Sequence, residues 1–216
     1  MKNLLVIFGG CSSEYEVSLR SSASVLRNID RSKYNVITLG ITKDGSWLLY
    51  NGSIDNIENN TWLTMGVTTP AVISPDKNDK ALLVLKETGV QKISVDVIFP
   101  VLHGKNGEDG TIQGIFDLAG IPYVGCGLLA SAMCMDKAIT NTLADEAGIA
   151  GAKWAAFTRT EYYGGNVDLD AIVKKLSFPI FVKPANAGSS VGITKAHNHT
   201  ELLGALDVAF ENDYKA

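Results

Sequence analysis

The stretch LLVIFGGCSSEYE, residues 4–16, decides the fold class. Its first five residues are all apolar and end at a pair of glycines, which is typical of a strand buried on both faces of a parallel sheet. Ser13 and Glu16 have the spacing of a capping box, so we expect a helix with Ser13 as its N-cap that runs to about residue 28. Strand, glycine turn and helix open a βαβ unit, and the stretch therefore predicts an α/β fold.

Composition excludes several other classes of protein. The chain has 216 residues, 46% of them hydrophobic and 19% charged, with 19 Lys and Arg against 23 Asp and Glu, for a net charge of −4. This balance predicts a folded protein without a bulk-charge affinity for nucleic acid. The least polar stretch, residues 121–135, is shorter than the roughly 18 residues of a spanning helix, so no membrane partner is expected. Three cysteines without a pairing pattern favour the cytoplasm, and we expect them to be small buried residues (Cys11, Cys126 and Cys134).

Strands and helices alternate along the chain up to Gly148. The patterns predict strands at 34–41, 71–73, 82–85, 95–102 and 123–124, an antiparallel return at 47–50, and helices at 110–119, 128–134 and 136–147. After Gly148 they predict strands at 153–157, 179–183 and 191–195, and helices at 167–176 and 200–210. The last helix is expected to lack a strand that would bury its apolar face. Length and pattern together predict one domain and part of a second one.

Two loops of the first predicted domain carry candidate binding residues. Glu14 lies in the first turn of the predicted helix, where the helix dipole favours a carboxylate that could bind an ammonium group. His103 opens the polar, glycine-rich loop 103–110 at the carboxyl end of a predicted parallel strand, the edge at which open α/β sheets bind ligands. Taken singly, an ordinary glycine turn and a structural histidine explain both features as well.

Two lysines of the second predicted domain are candidates for binding phosphate. Lys183 ends a predicted strand and precedes a loop of small residues that contains two serines, Ser189 and Ser190, whose hydroxyl and N–H groups could surround phosphate oxygens. The loop is not a Walker sequence, and a plain hairpin loop is the alternative. Lys137 follows the N-cap Asp136, where the helix dipole disfavours a cation, so an anionic partner or simple solvent exposure would explain it.

In this order, four stretches resemble the D-alanine:D-alanine ligase family of the ATP-grasp superfamily. They are GGCSSEYEVS (9–18), FPVLHGKNGEDGTIQG (99–114), MDK (135–137) and FVKPANAGSSVG (181–192). Within the family the chain is similar to the vancomycin-resistance branch that joins D-alanine to D-serine. The resemblance implies a Rossmann-like N-terminal substrate-binding domain with a parallel sheet at 1–125, followed by part of the α+β ATP-grasp central domain at 126–216.

The resemblance also implies an activity and roles for single residues. The family uses ATP and Mg²⁺ to phosphorylate D-alanine, and a second D-amino acid then displaces the phosphate, for peptidoglycan precursor synthesis. The implied catalytic and substrate-binding residues are Glu14, His103 and Ser189, with Ser18 a further substrate-binding residue. The implied nucleotide-binding residues are Lys137, Lys183, Ser189, Ser190 and Gly192. A homodimer is a further family expectation.

The family continues with an adenine-binding hinge and a metal site that these 216 residues do not include. We therefore expect an N-terminal fragment that is inactive alone, with the Mg²⁺ ligands beyond residue 216. D-alanine, D-serine and D-lactate stay open as the second substrate. The alternatives to this function are another ATP-grasp carboxylate–amine ligase and a small-molecule-binding module without catalysis.

Overall fold

A computed structural model describes residues 1–216, which form two compact units, 1–131 and 132–216. The first unit contains a seven-stranded sheet with the strands β1 (Lys2–Gly9), β2 (Tyr34–Ile41), β3 (Trp47–Asn51), β4 (Val67–Ile73), β5 (Ala81–Lys86), β6 (Gly89–Ser94) and β7 (Val97–Pro100). Its helices are α1 (Tyr15–Asn28), α2 (Ile54–Glu58), α3 (Trp62–Met65) and α4 (Thr111–Ala119), and α5 (Leu128–Met135) spans the boundary between the units.

The sheet is mixed, with the strand order β6-β5-β4-β3-β2-β1-β7. β1 pairs in parallel with β2 and with β7, whereas all pairs from β2 outward to β6 are antiparallel. The α/β class is thereby confirmed, and parallel pairing is confined to three strands. Because β1 and β7 run in the same direction, the loops that follow them leave the sheet at the same edge.

Strand β1 is buried on both faces, as its apolar run predicts. Leu5 and Ile7 belong to one core cluster, while Leu4, Val6 and Phe8 belong to a second cluster on the other face. This division follows from the period of two in a strand, which sends successive side chains to opposite faces. Both faces of the sheet are therefore covered around β1.

The second unit is built around a two-stranded antiparallel sheet of β8 (Ile180–Val182) and β9 (Thr194–Ala196). Its helices are α6 (Lys137–Glu146), α7 (Arg159–Tyr163), α8 (Leu169–Leu176) and α9 (His199–Asn212). Leu202, Leu206 and Phe210 of α9 are buried in one cluster with Ile180 and Val182 of β8. The expectation that α9 lacks a strand to bury its apolar face is therefore wrong, because β8 and β9 cover it.

Several local predictions are also wrong. Helix α1 begins at Tyr15 with Glu14 at the N-cap position and no side-chain cap, so the capping box at Ser13 does not form. Residues 153–157 are not a strand; within them only Phe157 pairs with the end of the chain, exchanging two backbone hydrogen bonds with Ala216. The patterns missed α2, α3, α7 and the edge strand β6, which are short or polar. Cys126 and Cys134 are exposed rather than buried, and Cys11 is partly buried.

None of the helices is both long and apolar enough to cross a lipid bilayer.

Gly9 is required by the turn between β1 and α1. Its φ is +88°, and a Cβ atom there would overlap the carbonyl oxygen of Ile41, which accepts a hydrogen bond from the N–H of Gly10 at 2.8 Å. We expect Gly9→Ala to lower the free energy of unfolding by about 3 kcal/mol, because both the backbone conformation and the contact become unfavourable. Urea unfolding followed by circular dichroism measures the change.

Gly89→Ala is the matched control for Gly9→Ala. Gly89 also has a positive φ, +123°, but nothing lies within 4 Å of a Cβ atom at this position. Gly89→Ala should therefore lower the free energy of unfolding only by the cost of the backbone conformation, about 1 kcal/mol. Equal losses of stability in the two variants would contradict the predicted contact at Gly9.

Candidate active site

The loops after β1 and β7 are joined at the edge of the first unit by Ser12. The Ser12 hydroxyl donates to the carbonyl oxygen of His103 at 2.8 Å and accepts from the backbone N–H of Glu14 at 3.1 Å. One hydroxyl thus holds the backbones of two candidate residues, Glu14 and His103. Sequence reasoning did not identify Ser12 as a site residue, because its role depends on a contact between loops about 90 residues apart.

The carboxylate of Glu14 lies directly against Gly104. A Cβ atom at Gly104, whose φ is +68°, would be 2.5 Å from Glu14 Oε2. The backbone N–H of Gly104 donates to Glu108 Oε2 at 2.7 Å, so a carboxylate from within the loop holds this segment. The glycine at position 104 therefore gives Glu14 the room that its carboxylate occupies.

Carboxylates fix the remainder of the 103–110 loop. Asp109 accepts from the N–H of Asn106 at 2.8 Å and from the N–H of Thr111 at 3.0 Å. The second bond lies at the start of α4, where the positive end of the helix dipole favours an anion. The carboxylates of the 103–110 loop thus bind the backbone of the same loop. The glycine-rich sequence did not predict these contacts.

His103 and Ser18 differ in their surroundings. The His103 ring nitrogen Nε2 lies 3.2 Å from the hydroxyl of Ser21 on α1. Ser18 is completely buried; its hydroxyl accepts from the N–H of Gly9 at 2.8 Å and donates to the carbonyl oxygen of Val101. In this structure Ser18 thus connects the ends of β1 and β7, and the substrate-binding role expected for it stays a prediction.

A cavity of about 280 Å³ opens at this edge, and Gly10, Cys11 and His103 are among its lining residues. Its size is that of a site for a small ligand. Glu14 does not line this cavity; its carboxylate lies against Gly104 of the same loop, so the carboxylate and the cavity are separate features of this edge.

In the second unit, Lys137 is the first residue of α6 and contacts the loop that follows β8. Its ammonium group donates to the carbonyl oxygens of Ala187 at 2.6 Å and Ala185 at 3.2 Å. Burial, followed by the nearby ammonium of Lys183, lowers the pKa of Lys137 below its ordinary value. Burial and the Lys183 ammonium both disfavour the charged form of Lys137, and a bound anion would stabilise that charged form.

The loop after β8 has an unusual backbone. Ser189 and Ser190 both have a positive φ, +46° and +62°, and Gly192 follows with +70°. Left-handed conformations at residues other than glycine are strained, and they concentrate at ligand-binding sites. Loops whose successive N–H groups turn toward one point also form concave sites for anions.

Lys137 and Lys183 line the same cleft of the second unit, which has a volume of about 760 Å³. Apolar side chains of β8 and α9, among them Phe181 and Leu206, also line it. Lys153 is a third lysine of the lining, and three cations beside an apolar wall fit the triphosphate and the base of a nucleotide such as ATP. The residues do not offer a metal site: no three His, Cys, Asp or Glu side chains of residues 1–216 are grouped as metal ligands.

The structure divides the predicted residues between the two units. Glu14, Ser18 and His103 belong to the first unit, around the loops at the edge of β1 and β7. The residues Lys137, Lys183, Ser189, Ser190 and Gly192 belong to the second unit. The role of Ser189 beside the first substrate stays a prediction.

Fold and site together define a class: an α/β domain with a small cavity at the edge of its parallel strands, followed by a unit whose nucleotide-sized cleft is lined by lysines and apolar side chains. Comparison with known proteins gives the family. The model described as "D-ala D-ala ligase N-terminus" matches residues 3–126, and the one described as "D-ala D-ala ligase C-terminus" matches residues 143–216. The chain belongs to the D-alanine–D-alanine ligase family.

Individual relatives agree with this assignment. A D-alanine–D-alanine ligase of Acetivibrio thermocellus is 50% identical over 99% of this chain and 60% of its own length. The solved structure of the VanG D-Ala:D-Ser ligase from Enterococcus faecalis matches with a TM-score of 0.89 at 46% identity, over 99% of this chain and 61% of that one. A Bacillus anthracis D-alanine–D-alanine ligase complexed with ATP matches with a TM-score of 0.68 at 29% identity, over 100% and 57%. The chain spans about 60% of the length of these relatives.

Proposed function

We propose that the protein is an ATP-dependent ligase that joins D-alanine to a second D-amino acid. The observation that carries the proposal is the cleft of the second unit, which Lys137 and Lys183 line beside the strained serine loop, in a chain of this family. The complex of the Bacillus anthracis relative with ATP supports a nucleotide as the ligand of this cleft.

In the proposed reaction the two units have different tasks. Glu14 binds the ammonium group of the first D-alanine, with His103 beside it and Ser189 as a further contact. Lys137 and Lys183 bind the nucleotide phosphates, and the loop with Ser189, Ser190 and Gly192 surrounds them. ATP supplies the γ-phosphoryl group that activates the D-alanine carboxylate.

Bond formation follows from that activation. The amine of the second amino acid attacks the activated carboxyl carbon, loses a proton as the amide forms, and phosphate leaves with the electron pair of the broken C–O bond. None of these steps needs a nucleophilic side chain. The residues contribute orientation and neutralisation of phosphate charge, which account for much of the catalysis of phosphoryl transfer.

D-alanine and D-serine are the two candidates for the second substrate. The Acetivibrio thermocellus relative is named a D-alanine–D-alanine ligase, whereas the Enterococcus faecalis structure is that of a D-Ala:D-Ser ligase. A D-Ala–D-Ser product would place the protein in vancomycin resistance, and either product would serve peptidoglycan synthesis. We place the reaction in the cytoplasm, where ATP is available; the need for Mg²⁺ and a homodimer stay predictions.

ADP release by the full-length protein tests the proposal. The assay contains ATP, Mg²⁺ and D-alanine, is repeated with D-serine added, and uses L-alanine as the control. We expect ADP release that depends on a D-amino acid, and chromatography of the dipeptides shows which second substrate is used. Nucleotide binding without turnover would instead favour a binding module, and release that requires another carboxylic acid would favour a different ATP-grasp ligase.

A further inference from the structure

Three segments of the second unit meet at Ala185. Its N–H donates to the carbonyl oxygen of Lys215 at 2.8 Å, and its carbonyl oxygen accepts from the backbone N–H of Lys137 at 3.0 Å. The Lys137 ammonium donates to the same oxygen at 3.2 Å. The start of α6, the candidate phosphate-binding loop 185–192 and the residues after α9 are therefore joined through the backbone of one residue, Ala185.

A partly buried ion pair closes this connection on its other side. Asp136, only 7% exposed, is the N-cap of α6: its Oδ1 accepts from the N–H groups of Ala138 at 2.9 Å and Ile139 at 3.1 Å. Its Oδ2 lies 2.6 Å from the ammonium nitrogen of Lys215. One carboxylate thus begins the helix that presents Lys137 and at the same time holds the segment that supports the loop.

Burial alone would raise the pKa of the Asp136 carboxyl, but the Lys215 ammonium and the two N–H groups outweigh burial, and the pKa lies below its ordinary value. Asp136 is therefore an anion next to Lys137 in the chain. Without Lys215 its charge would attract the Lys137 ammonium and compete with an incoming phosphate. With Lys215 in place, the Lys137 ammonium donates to two neutral carbonyl oxygens, and Asp213 is the other nearby carboxylate. A phosphate can replace the carbonyl oxygens, because it is a stronger, charged partner.

We propose that Asp136 and Lys215 are positioning residues, which hold Lys137 in the place and charge environment in which it binds the nucleotide phosphates. The inference rests on the proposed function, since it assigns the pair to the same nucleotide site. Neither residue needs to touch the nucleotide: the pair acts through the start of α6, through the loop, and through neutralisation of the Asp136 charge.

Lys215→Met in the full-length protein tests the proposal. We expect the KM for ATP and the Kd of ADP to rise about tenfold, because Lys137 is displaced and partly paired with Asp136. The KM for D-alanine should change by less than about twofold, since its proposed site lies in the first unit. Lys215→Arg should restore the affinity for nucleotide, because a guanidinium group can bind the same carboxylate.

Lys174→Met is the matched control, since Lys174 is an exposed lysine of the same unit near the end of α8. It removes the same charge and should leave both KM values unchanged. If Lys215→Met raised the KM values for ATP and D-alanine together, or if Lys215→Arg did not restore nucleotide affinity, the pair would be a general stability element and the proposal would be wrong.

A second variant keeps the test decisive if Lys215→Met does not fold. Asp136→Asn retains an N-cap oxygen for α6 but loses the charge that binds Lys215. The double variant, which combines Asp136→Asn with Lys215→Met, should bind ADP no more weakly than Lys215→Met alone, because both changes break the same interaction. If only Asp136→Asn folds as a single variant, the double variant is compared with Asp136→Asn instead. If the fold-losses of ADP affinity of the two single variants multiplied in the double variant, Asp136 and Lys215 would have independent roles, which would contradict the proposal.

Hydrogen exchange separates this inference from the proposed function. In Lys215→Met the backbone N–H groups of Lys137 and Ala185 should exchange faster, whether or not the protein is a ligase. If the wild-type protein released no ADP in response to a D-amino acid, the proposed function would be refuted. Faster exchange in Lys215→Met would still support the structural role of the pair. Unchanged exchange at both positions would refute that structural role.

Discussion

Replacing Lys183 with alanine is expected to weaken nucleotide binding by about 100-fold while leaving the affinity for D-alanine nearly unchanged. Lys183 follows β8 and lines the cleft together with Lys137. Its removal halves the positive charge that these two lysines offer to the phosphates, and a charge-assisted hydrogen bond is worth about 1.5–3 kcal/mol. Isothermal titration with ADP and steady-state kinetics with varied ATP measure the loss.

The control for Lys183→Ala is Lys174→Ala, which removes an exposed lysine from the same unit. It should bind ADP as the wild-type protein does. If Lys183→Ala weakened both ligands equally, the division of tasks between the two units would be refuted.

Glu14→Gln is expected to have the opposite selectivity, raising the KM for D-alanine by roughly 10- to 100-fold while the Kd of ADP stays the same. The amide keeps the size of the side chain that packs against Gly104 but removes the negative charge that binds an ammonium group. Kinetics with varied D-alanine at saturating ATP measure the change.

Glu16→Gln, two residues further along the chain, is the matched control. Glu16 is half exposed and pairs with Lys43 at the surface, so its loss should alter stability only slightly and D-alanine binding not at all. A similar rise in the KM for D-alanine in both variants would mean that general negative charge at this edge, and not Glu14 itself, attracts the substrate.

Much of the fold could be predicted because the deciding signals are local. The apolar run of β1 predicts a strand buried on both faces, and the structure confirms it by dividing the run between two cores. The periodicity of α9 likewise identifies the buried face of that helix. The predictions failed where a local signal was weak, as in the polar edge strand β6, or where a tertiary contact replaced a local one. The predicted cap at Ser13 does not form; instead the Ser12 hydroxyl accepts from the N–H of Glu14 and donates to the loop that starts at His103.

The sequence by itself identified the charged candidates for ligand binding. Each of them lies at the end of a predicted strand or helix, where ligands commonly bind in α/β folds (Glu14, Lys137 and Lys183). Only the tertiary structure decided which groups surround them. The ion pair of Asp136 and Lys215 joins residues that are 79 positions apart, and no periodicity or motif in the sequence predicts it. Sequence patterns report the burial and conformation of neighbouring residues, whereas an ion pair between distant segments exists only once folding has brought the two charged groups within a few ångströms of each other.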